Sequence, residues 1–243
     1  AYSKNIAKIL DKHIDIILVG DSMANVLYGH KNTHSITLEN IIQHALSVKM
    51  GVKKSLLVVD MPKGSYNNFQ NAKKNAMLIM KTTKCDAIKI ESNKSNYKII
   101  EGLVKKKIPV MGHVGYTPQF KKKFKIEGQT KLEINKLLKE AKLIEKAGAF
   151  CIVLECLSPS SAKLITSKLN IPTIGIGSSV HCDGQILVTD DMLGLSGFYP
   201  KFVKKYAKLD RLIEKAIKRY TRAVKLKKFP TINNYLTGTK RRK

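Results

Sequence analysis

Residues 14–22 read IDIILVGDS, an apolar run that ends in glycine, aspartate and serine. The run is far shorter than the ~18–20 apolar residues that cross a bilayer. Its β-branched and nearly continuous apolar character is typical of a parallel strand buried on both faces. The polar residues after it therefore mark the carboxyl end of a buried strand.

The same pattern recurs along the chain, between longer segments with helical periodicity. We predict seven strands, at 15–20, 55–60, 86–91, 108–114, 150–156, 171–177 and 185–189. We predict helices at 38–50, 68–82, 97–106, 131–146 and 159–169, and a basic helical region at 201–225. This alternation indicates a parallel sheet covered by helices. No Gly-, Ser- or Pro-rich linker divides the chain, so we expect a single domain over residues 1–243 with a short basic tail at 239–243.

The number of strands bears on the architecture. A closed (β/α)8 barrel has about 250 residues and eight strands, one more than the sequence supplies. We predict an α/β fold of the (β/α)8 TIM-barrel type that lacks its first strand, which we expect just upstream of residue 1. An open doubly wound sheet is the alternative, although its usual nucleotide-binding pattern, G-x-G-x-x-G, does not occur.

The basic excess raises the question of a polyanionic partner. The chain has 45 Lys and Arg against 18 Asp and Glu, a formal net charge of +27. Neutralised phosphates dominate nucleic-acid binding. Only five of the basic residues are Arg, all at or after Arg211, and the lysines are spread over nearly every predicted helix. We interpret the charge as a solvated lysine-rich surface and expect no nucleic-acid partner.

The four cysteines and the N-terminus indicate the compartment. No C-x-x-C pair is present, which argues against a zinc site and a redox motif. Reduced thiols are typical of the cytoplasm, and the N-terminus has no apolar segment followed by small cleavage residues. We expect a cytoplasmic protein that does not associate with membranes.

Ionisable residues stand at the ends of five successive predicted strands: Asp21, Asp60, Glu91, His113 and Glu155. In a parallel barrel the carboxyl ends of all strands open on one face, which is where catalytic residues lie. Lys89 lies two positions before Glu91, so both side chains project from the same side of their strand. The pattern therefore predicts an active site at this end of the sheet.

The residue types narrow the chemistry. Asp21, Asp60 and Glu91 supply the hard oxygen ligands that Mg²⁺ prefers, and Lys89 can pair with an anionic substrate group. Glu155 is flanked by apolar residues, which would raise its pKa and make it a proton acceptor. A metal ion with a carboxylate base is suited to proton abstraction next to a carbonyl. His113 could donate a hydrogen bond to a substrate carboxylate or satisfy a main-chain carbonyl.

Several motifs of the sequence resemble those of the ketopantoate hydroxymethyltransferase family. The matching segments occur in the family's order and cover roughly residues 1–230: VGDS at 19–22, VDMP at 59–62, IKIE at 88–91, MGHVGYTPQ at 111–119, VLEC at 153–156, IGIG at 174–177, CDGQILV at 182–188 and PKF at 200–202. The resemblance implies a (β/α)8 enzyme of pantothenate biosynthesis, usually a homodecamer. Such enzymes transfer a one-carbon unit from 5,10-methylenetetrahydrofolate to 3-methyl-2-oxobutanoate, giving 2-dehydropantoate.

The resemblance also implies roles for individual residues. Asp21 and Asp60 would bind Mg²⁺, with Glu91 as a further ligand, and Glu155 would be the general base that yields a Mg²⁺-stabilised enolate. The expected substrate-binding set is Asp21, Ser22, Asp60, Lys89 and His113.

Three positions depart from the family pattern, with Ser3, Lys63 and Glu127 at places where other residues are usual. Three alternatives stay open beside this family. The first is a related Mg²⁺-dependent barrel of the phosphoenolpyruvate mutase and isocitrate lyase type. The others are a truncated, inactive chain and a polyanion-binding protein.

Overall fold

The computed structural model describes residues 1–93, 96–121, 123–197 and 199–235. Its strands are β1 (Ile16–Val19), β2 (Leu56–Asp60), β3 (Ala87–Lys89), β4 (Val110–Gly115), β5 (Cys151–Glu155), β6 (Thr173–Ile176) and β7 (Gly184–Gln185). Its helices are α1 (Lys4–Leu10), α2 (Met23–Val26), α3 (Leu38–Lys49), α4 (Phe69–Thr83), α5 (Tyr97–Lys105), α6 (Lys131–Lys146), α7 (Pro159–Lys168), α8 (Thr189–Leu193) and α9 (Leu209–Lys225). All seven predicted strands are therefore present, as are the five helices predicted between 38 and 169.

The strands form one parallel sheet in the order of the chain, from β1 to β7. This order is that of a barrel, whereas a doubly wound sheet reverses its order at a switch point. The sheet curls into a half-barrel, and within the described residues β1 and β7 do not pair with each other. The predicted fold class, an α/β fold of the (β/α)8-barrel type with seven strands in the described residues, is confirmed, and the open doubly wound sheet is wrong.

The two faces of the sheet have different neighbours. Outward-facing residues such as Val19, Leu57 and Ile152 belong to the large core between the sheet and the helices. Inward-facing residues such as Val58 and Met111 form a second, smaller cluster inside the curl. Because side chains alternate along a strand, each inward row continues toward the carboxyl end of its strand, where the predicted polar residues stand.

Several helices begin where the sequence supplies a capping side chain. Thr37 caps α3 in a capping box with Asn40, as its position before the periodic segment predicts. Thr130 caps α6 by accepting from the N–H of Glu133, and Asn68 caps α4. These caps fix where the outer helices start and hence how they cover the sheet.

Two predicted elements near the C-terminus differ from the structure. Residues 201–208 are irregular rather than helical, and α9 begins at Leu209. Tertiary contacts compete with the helix here, because the Tyr206 N–H donates to the Met192 carbonyl. Gly194, at a φ of +78°, lets the Ala207 carbonyl approach so closely that a Cβ would lie 2.6 Å from it. The last strand is also shorter than predicted, and its expected end at 189 is the start of α8.

Three further expectations concern the chain as a whole. No helix in the described residues is both long and apolar enough to cross a membrane. All four cysteines fall within the described ranges, where they are buried and not bonded to one another. The basic tail at 239–243 lies outside the described residues.

Candidate active site

A cavity of about 770 Å³ opens at the carboxyl ends of the strands. Its lining includes every residue that the sequence predicts for the site: Asp21, Ser22, Asp60, Lys89, Glu91, His113 and Glu155. They come from the ends of β1 to β5, and the parallel order of the sheet places those ends side by side. The structure therefore brings the whole predicted set together.

Asp21 and Asp60 form the centre of this group. The main-chain N–H of Asp21 donates to Asp60 Oδ2 at 3.0 Å. Lys89 Nζ donates to Asp60 Oδ1 at 2.6 Å, with both side chains buried. The ion pair follows from the sheet register, in which Asp60 and Lys89 are direct neighbours on β2 and β3. The main-chain hydrogen bond and the strand register therefore fix the relative positions of Asp21, Asp60 and Lys89.

Glu91 joins the group through Gln119, in the loop after β4. The Gln119 N–H donates to Glu91 Oε2 at 3.0 Å, and its side-chain Nε2 donates to Asp21 Oδ2 at 2.9 Å. The same Nε2 donates to the Met61 carbonyl, and Tyr66 donates its hydroxyl to Gln119 Oε1 at 2.5 Å. Gln119 is completely buried, so it connects two of the expected metal ligands without facing solvent.

His113 and Glu155 face each other across the inner surface of β4 and β5. His113 Nε2 lies 3.3 Å from Glu155 Oε2, and His113 Nδ1 lies 3.9 Å from Glu91 Oε1. Neither ring nitrogen makes a hydrogen bond with any described residue, although the imidazole is buried. No described main-chain carbonyl satisfies the ring, and the Glu155 carboxylate is its nearest charged neighbour.

The surroundings of Glu155 differ from the apolar pocket expected from its sequence neighbours. Leu154 belongs to the core on the outer face, because adjacent residues on a strand point to opposite sides. The Glu155 carboxylate instead opens to the cavity with 18% of its side chain exposed. Its main chain is held firmly, since the Tyr116 N–H donates to the Glu155 carbonyl.

Buried negative charge dominates the electrostatics of the site. Burial, reinforced by the neighbouring Asp60, raises the pKa of Asp21 to about 7, although Lys89 and Gln119 oppose this shift. Burial also raises the pKa of Glu91 well above its ordinary value. Burial alone would lower the pKa of Lys89, but Asp60, Glu91 and Asp21 together raise it. Burial lowers the pKa of His113, against the opposing effect of Glu155.

These charges bear on whether a metal ion fits. Lys89 is the one buried cation in the described part of the chain, against the carboxylates of Asp21, Asp60 and Glu91. No three His, Cys, Asp or Glu side chains among the described residues converge into a ready-made metal site. Mg²⁺, however, is commonly bound by one or two carboxylates and keeps several waters. The adjacent pair Asp21 and Asp60 fits that requirement, with Glu91 linked to it through Gln119.

Ser22 lies at the rim of the same group. Its Oγ is 2.8 Å from the hydroxyl of Tyr2, and Tyr2 is buried and also lines the cavity. The side chain is thus held toward the cavity, next to Asp21.

The three departures from the family pattern stand outside this group. Ser3 precedes α1 and does not line the cavity. Lys63 Nζ lies 3.2 Å from Nδ1 of His34, at the edge of the cavity. Glu127 forms an ion pair with Lys121 at 2.7 Å. None of them touches the carboxylates, Lys89 or His113.

The sequence analysis predicts no role for two residues of the site, Gln119 and Tyr66. Gln119 belongs to the MGHVGYTPQ segment at 111–119, so the resemblance includes it without assigning it a role. Its contact with Asp21 spans 98 positions of sequence. No local pattern identifies such a contact, and only the fold shows it.

Comparison with known sequences identifies the family of the chain. The sequence model of the ketopantoate hydroxymethyltransferase family matches residues 1–232. The 3-methyl-2-oxobutanoate hydroxymethyltransferase of Pelagibacter ubique is 52% identical over 231 residues, covering 95% of this chain and 90% of the relative. The enzymes of the same name from Anaplasma marginale and Clostridioides difficile are 48% and 47% identical, covering 95% of this chain and 84% and 86% of their own lengths.

Solved structures agree with the fold. A phosphonopyruvate hydrolase superposes with a TM-score of 0.61 at 12% identity, covering 99% of this chain and 85% of the other. A 2,3-dimethylmalate lyase of the phosphoenolpyruvate mutase and isocitrate lyase superfamily gives a TM-score of 0.59 at 12% identity, covering 98% and 82%. At such low identity these likenesses concern the fold alone. The sequence matches decide the family, and the chain belongs to the ketopantoate hydroxymethyltransferases.

Proposed function

We propose that this protein transfers a hydroxymethyl group from 5,10-methylenetetrahydrofolate to 3-methyl-2-oxobutanoate, giving 2-dehydropantoate. The observation that carries the proposal is the position of Glu155. This carboxylate opens into the cavity that also contains Asp21, Asp60 and Lys89, in a chain that is about half identical to enzymes named for this reaction.

The keto acid binds through its carboxylate and carbonyl oxygens. Lys89 offers a buried positive charge, and Ser22 offers a hydroxyl at the cavity wall. His113 has two ring nitrogens without a partner in the described residues, and its lowered pKa favours the neutral ring, which donates from one nitrogen. A substrate oxygen would satisfy that donor, because a buried unpaired N–H is costly.

Asp21 and Asp60 would hold Mg²⁺ directly, and Glu91 would support it. A bound divalent cation supplies positive charge that polarises the substrate carbonyl and acidifies the adjacent C–H bond. The excess of buried carboxylates over buried cations supports this assignment, since an added cation offsets their mutual repulsion.

Glu155 is the general base. It takes the proton from C3 of the keto acid, and the electron pair of that C–H bond remains on the substrate as its enolate. The nucleophilic C3 then bonds to the methylene carbon carried by the folate, both carbon–nitrogen bonds to the folate break, and water supplies the hydroxyl group. The two folate nitrogens take up the proton held by Glu155 and the remaining proton of the water, and tetrahydrofolate leaves. His113 lies beside this base, with its Nε2 3.3 Å from the Glu155 carboxylate.

We further propose that the chain is one catalytic domain working in the cytoplasm as a homo-oligomer, a decamer by family resemblance. The single sheet from β1 to β7 supports one domain. The four buried, unbonded cysteines suit a reducing compartment. The face of α9 that carries Leu212, Ile213, Ile217, Tyr220 and Val224 is exposed along its whole length. Amphipathic helices gain their stability by burying such a face, and a second copy of this chain is the partner we infer.

Two assays test the proposed reaction separately. In D₂O with Mg²⁺ and the keto acid alone, the protein should exchange the C3 proton for deuterium, which proton NMR follows. With 5,10-methylenetetrahydrofolate added, it should form 2-dehydropantoate. Glu155→Gln should slow the exchange by about 10²–10⁴-fold while Mg²⁺ binding is retained. Glu101→Gln, on the exposed surface of α5, is the matched control and should leave both rates unchanged. Normal exchange by Glu155→Gln would overturn the assignment of the base.

A further inference from the structure

One wall of the cavity has no part in binding the keto acid or the metal ion. It is formed by the segment between β7 and α9 and includes Leu187, Val188, Asp191, Ser196 and Phe202. We call these five residues the C-terminal wall. The proposed keto-acid and metal ligands all come from β1 to β5 instead. The cavity therefore has a second, differently built side.

Asp191 is the charged residue of the C-terminal wall. It is 8% exposed, and its Oδ1 accepts a hydrogen bond from Ser196 Oγ. No lysine, arginine or histidine of the described residues forms an ion pair with it, and no described residue donates to its Oδ2. Burial raises the pKa of Asp191 despite the hydrogen bond from Ser196. A buried carboxylate that is fixed in orientation but lacks a cation is suited to a ligand that brings hydrogen-bond donors.

Phe202 supplies an aromatic surface in the same wall. Its ring lies against Gly177, at the end of β6, where the backbone has a φ of +59°. A Cβ at position 177 would lie 2.7 Å from the ring. The glycine is thus required both by its own backbone angle and by the close approach of the aromatic ring. This contact holds Phe202 at the cavity over the carboxyl end of β6.

The size of the cavity leaves room for two ligands. Cavities of about 300–1,000 Å³ hold molecules of drug size, and this one has about 770 Å³. A five-carbon keto acid is much smaller than such a molecule. The space beside the C-terminal wall therefore suits a larger, planar second substrate.

We propose that Asp191 binds the aminopyrimidinone edge of the tetrahydropterin ring, with Phe202 against the ring. The inference rests on the proposed function, which supplies a folate as the one-carbon donor. The 2-amino group and the neighbouring ring N–H of a pterin present two donors side by side. A carboxylate presents two acceptors at matching spacing and can accept both. Ser196 orients the carboxylate for this contact, and the apolar wall residues exclude water from it.

The test compares Asp191→Asn with Asp190→Asn. Asp190 is the adjacent residue and does not line the cavity, so its variant makes the same chemical change outside the proposed subsite. Asp191→Asn should raise the KM for 5,10-methylenetetrahydrofolate by about 10- to 100-fold, the effect of losing a charged hydrogen-bond acceptor. Its KM for the keto acid and its rate of C3 deuterium exchange, measured without folate, should stay at the wild-type values. Asp190→Asn should match the wild type in all three measurements.

Direct binding separates this inference from the proposed reaction. Tetrahydrofolate, titrated by calorimetry, should bind wild-type protein and Asp190→Asn alike, and Asp191→Asn about 10- to 100-fold more weakly. Equal binding by all three proteins would overturn the subsite, even if the wild type catalyses the transfer. Loss of exchange in Asp191→Asn would also overturn it, because the residue would then serve the fold or the keto-acid site. Failure of the wild type to exchange the C3 proton would contradict the proposed function, while the calorimetric result still decides the subsite.

Discussion

Gln119 donates a hydrogen bond to Asp21, with 2.9 Å between its Nε2 and Asp21 Oδ2. Tyr66 fixes the direction of this bond, because its hydroxyl donates to Gln119 Oε1 and leaves the amide nitrogen facing Asp21. The main-chain N–H of Gln119 meanwhile holds Glu91. One buried residue thus orients two of the carboxylates that we propose for Mg²⁺.

Gln119→Met should therefore weaken Mg²⁺ binding by about 10–100-fold, the usual effect of losing a residue that orients a metal ligand. Methionine keeps the volume of the side chain but donates no hydrogen bond to Asp21. Isothermal titration with Mg²⁺ measures the affinity without requiring turnover. Gln129→Met, at an exposed position before α6, is the control. Equal Mg²⁺ affinity in the two variants would show that Gln119 does not orient the ligands.

Gly115 packs directly against the main chain of Glu155. Its φ is +102°, and a Cβ there would lie 2.2 Å from the Glu155 carbonyl oxygen. Gly115→Ala should lower both the midpoint of thermal unfolding and kcat, since the clash displaces the strand that carries the base. Gly64→Ala is the matched control, because Gly64 also has a positive φ, of +85°, but no atom within 4 Å of a Cβ.

The control should cost about 1–2 kcal/mol of unfolding free energy, from backbone strain alone, and leave kcat unchanged. Equal losses of stability and of kcat in the two variants would mean that the contact with Glu155 has no special role. Thermal unfolding and steady-state kinetics on both proteins give the comparison.

Lys89 neutralises part of the charge of the buried carboxylates. Lys89→Met should reduce the free energy of unfolding by about 3–5 kcal/mol, because Asp60 is then left buried without its cation. Added Mg²⁺ should restore part of the loss, since it supplies positive charge to the same group. Lys105→Met removes an ion pair of the same length, 2.6 Å, at the surface of α5, and should change stability little. Denaturant unfolding of the two variants, with and without Mg²⁺, measures these changes. An equal loss of unfolding free energy in Lys89→Met and Lys105→Met would contradict the prediction.

The strand ends show why so much of the site follows from sequence. Asp60, Lys89, Glu91 and Glu155 stand at the ends of apolar runs, and a parallel sheet brings such ends to one face whatever the loops do. The alternation of side chains then decides which of them point inward, as it does for Lys89 and Glu91. These two regularities are local in sequence, so residue type and spacing are enough to reveal them.

The features that sequence analysis missed depend on contacts between distant segments. Gln119 contacts Asp21 although 98 positions of sequence separate them, and Asp191 reaches the cavity from α8, beyond the last strand of the sheet. The region at 201–208 has helical composition, yet Tyr206 bonds to Met192 instead of to its own turn. The expectation of an apolar pocket around Glu155 is wrong for a related reason. Leu154, its neighbour in sequence, faces the other side of β5.

The exposed face of α9 predicts association. Ile217 is in the middle of this face and is 56% exposed. Ile217→Asp should shift the protein to a smaller oligomer in size-exclusion chromatography with light scattering, because it places a charge in the apolar contact. Lys215→Asp, on the opposite face of the helix, changes the charge by a larger amount and should leave the mass unchanged. The same mass for wild type and Ile217→Asp would exclude this face as the contact.

Asp11 ties the end of α1 to the start of β2. Its Oδ1 accepts from the main-chain N–H groups of Ser55 and Lys54, each at 2.9 Å. These two bonds lower the pKa of Asp11 from 3.8 to about 2. Because the pKa in the folded state is below the ordinary value, the ionised carboxylate stabilises the folded state above pH ~4. That contribution is lost as the pH falls from about 4 toward 2.

Asp11→Asn should consequently be less stable than the wild type at neutral pH, and the difference should shrink as the pH falls through this window. Urea unfolding of both proteins at pH 7, 5, 4 and 3 measures it. Glu39→Gln, at an exposed carboxylate that accepts no hydrogen bond from the described residues, is the control for the loss of one negative surface charge. A difference between wild type and Asp11→Asn that stays constant down to pH 3 would show that the two main-chain bonds do not favour the ionised form.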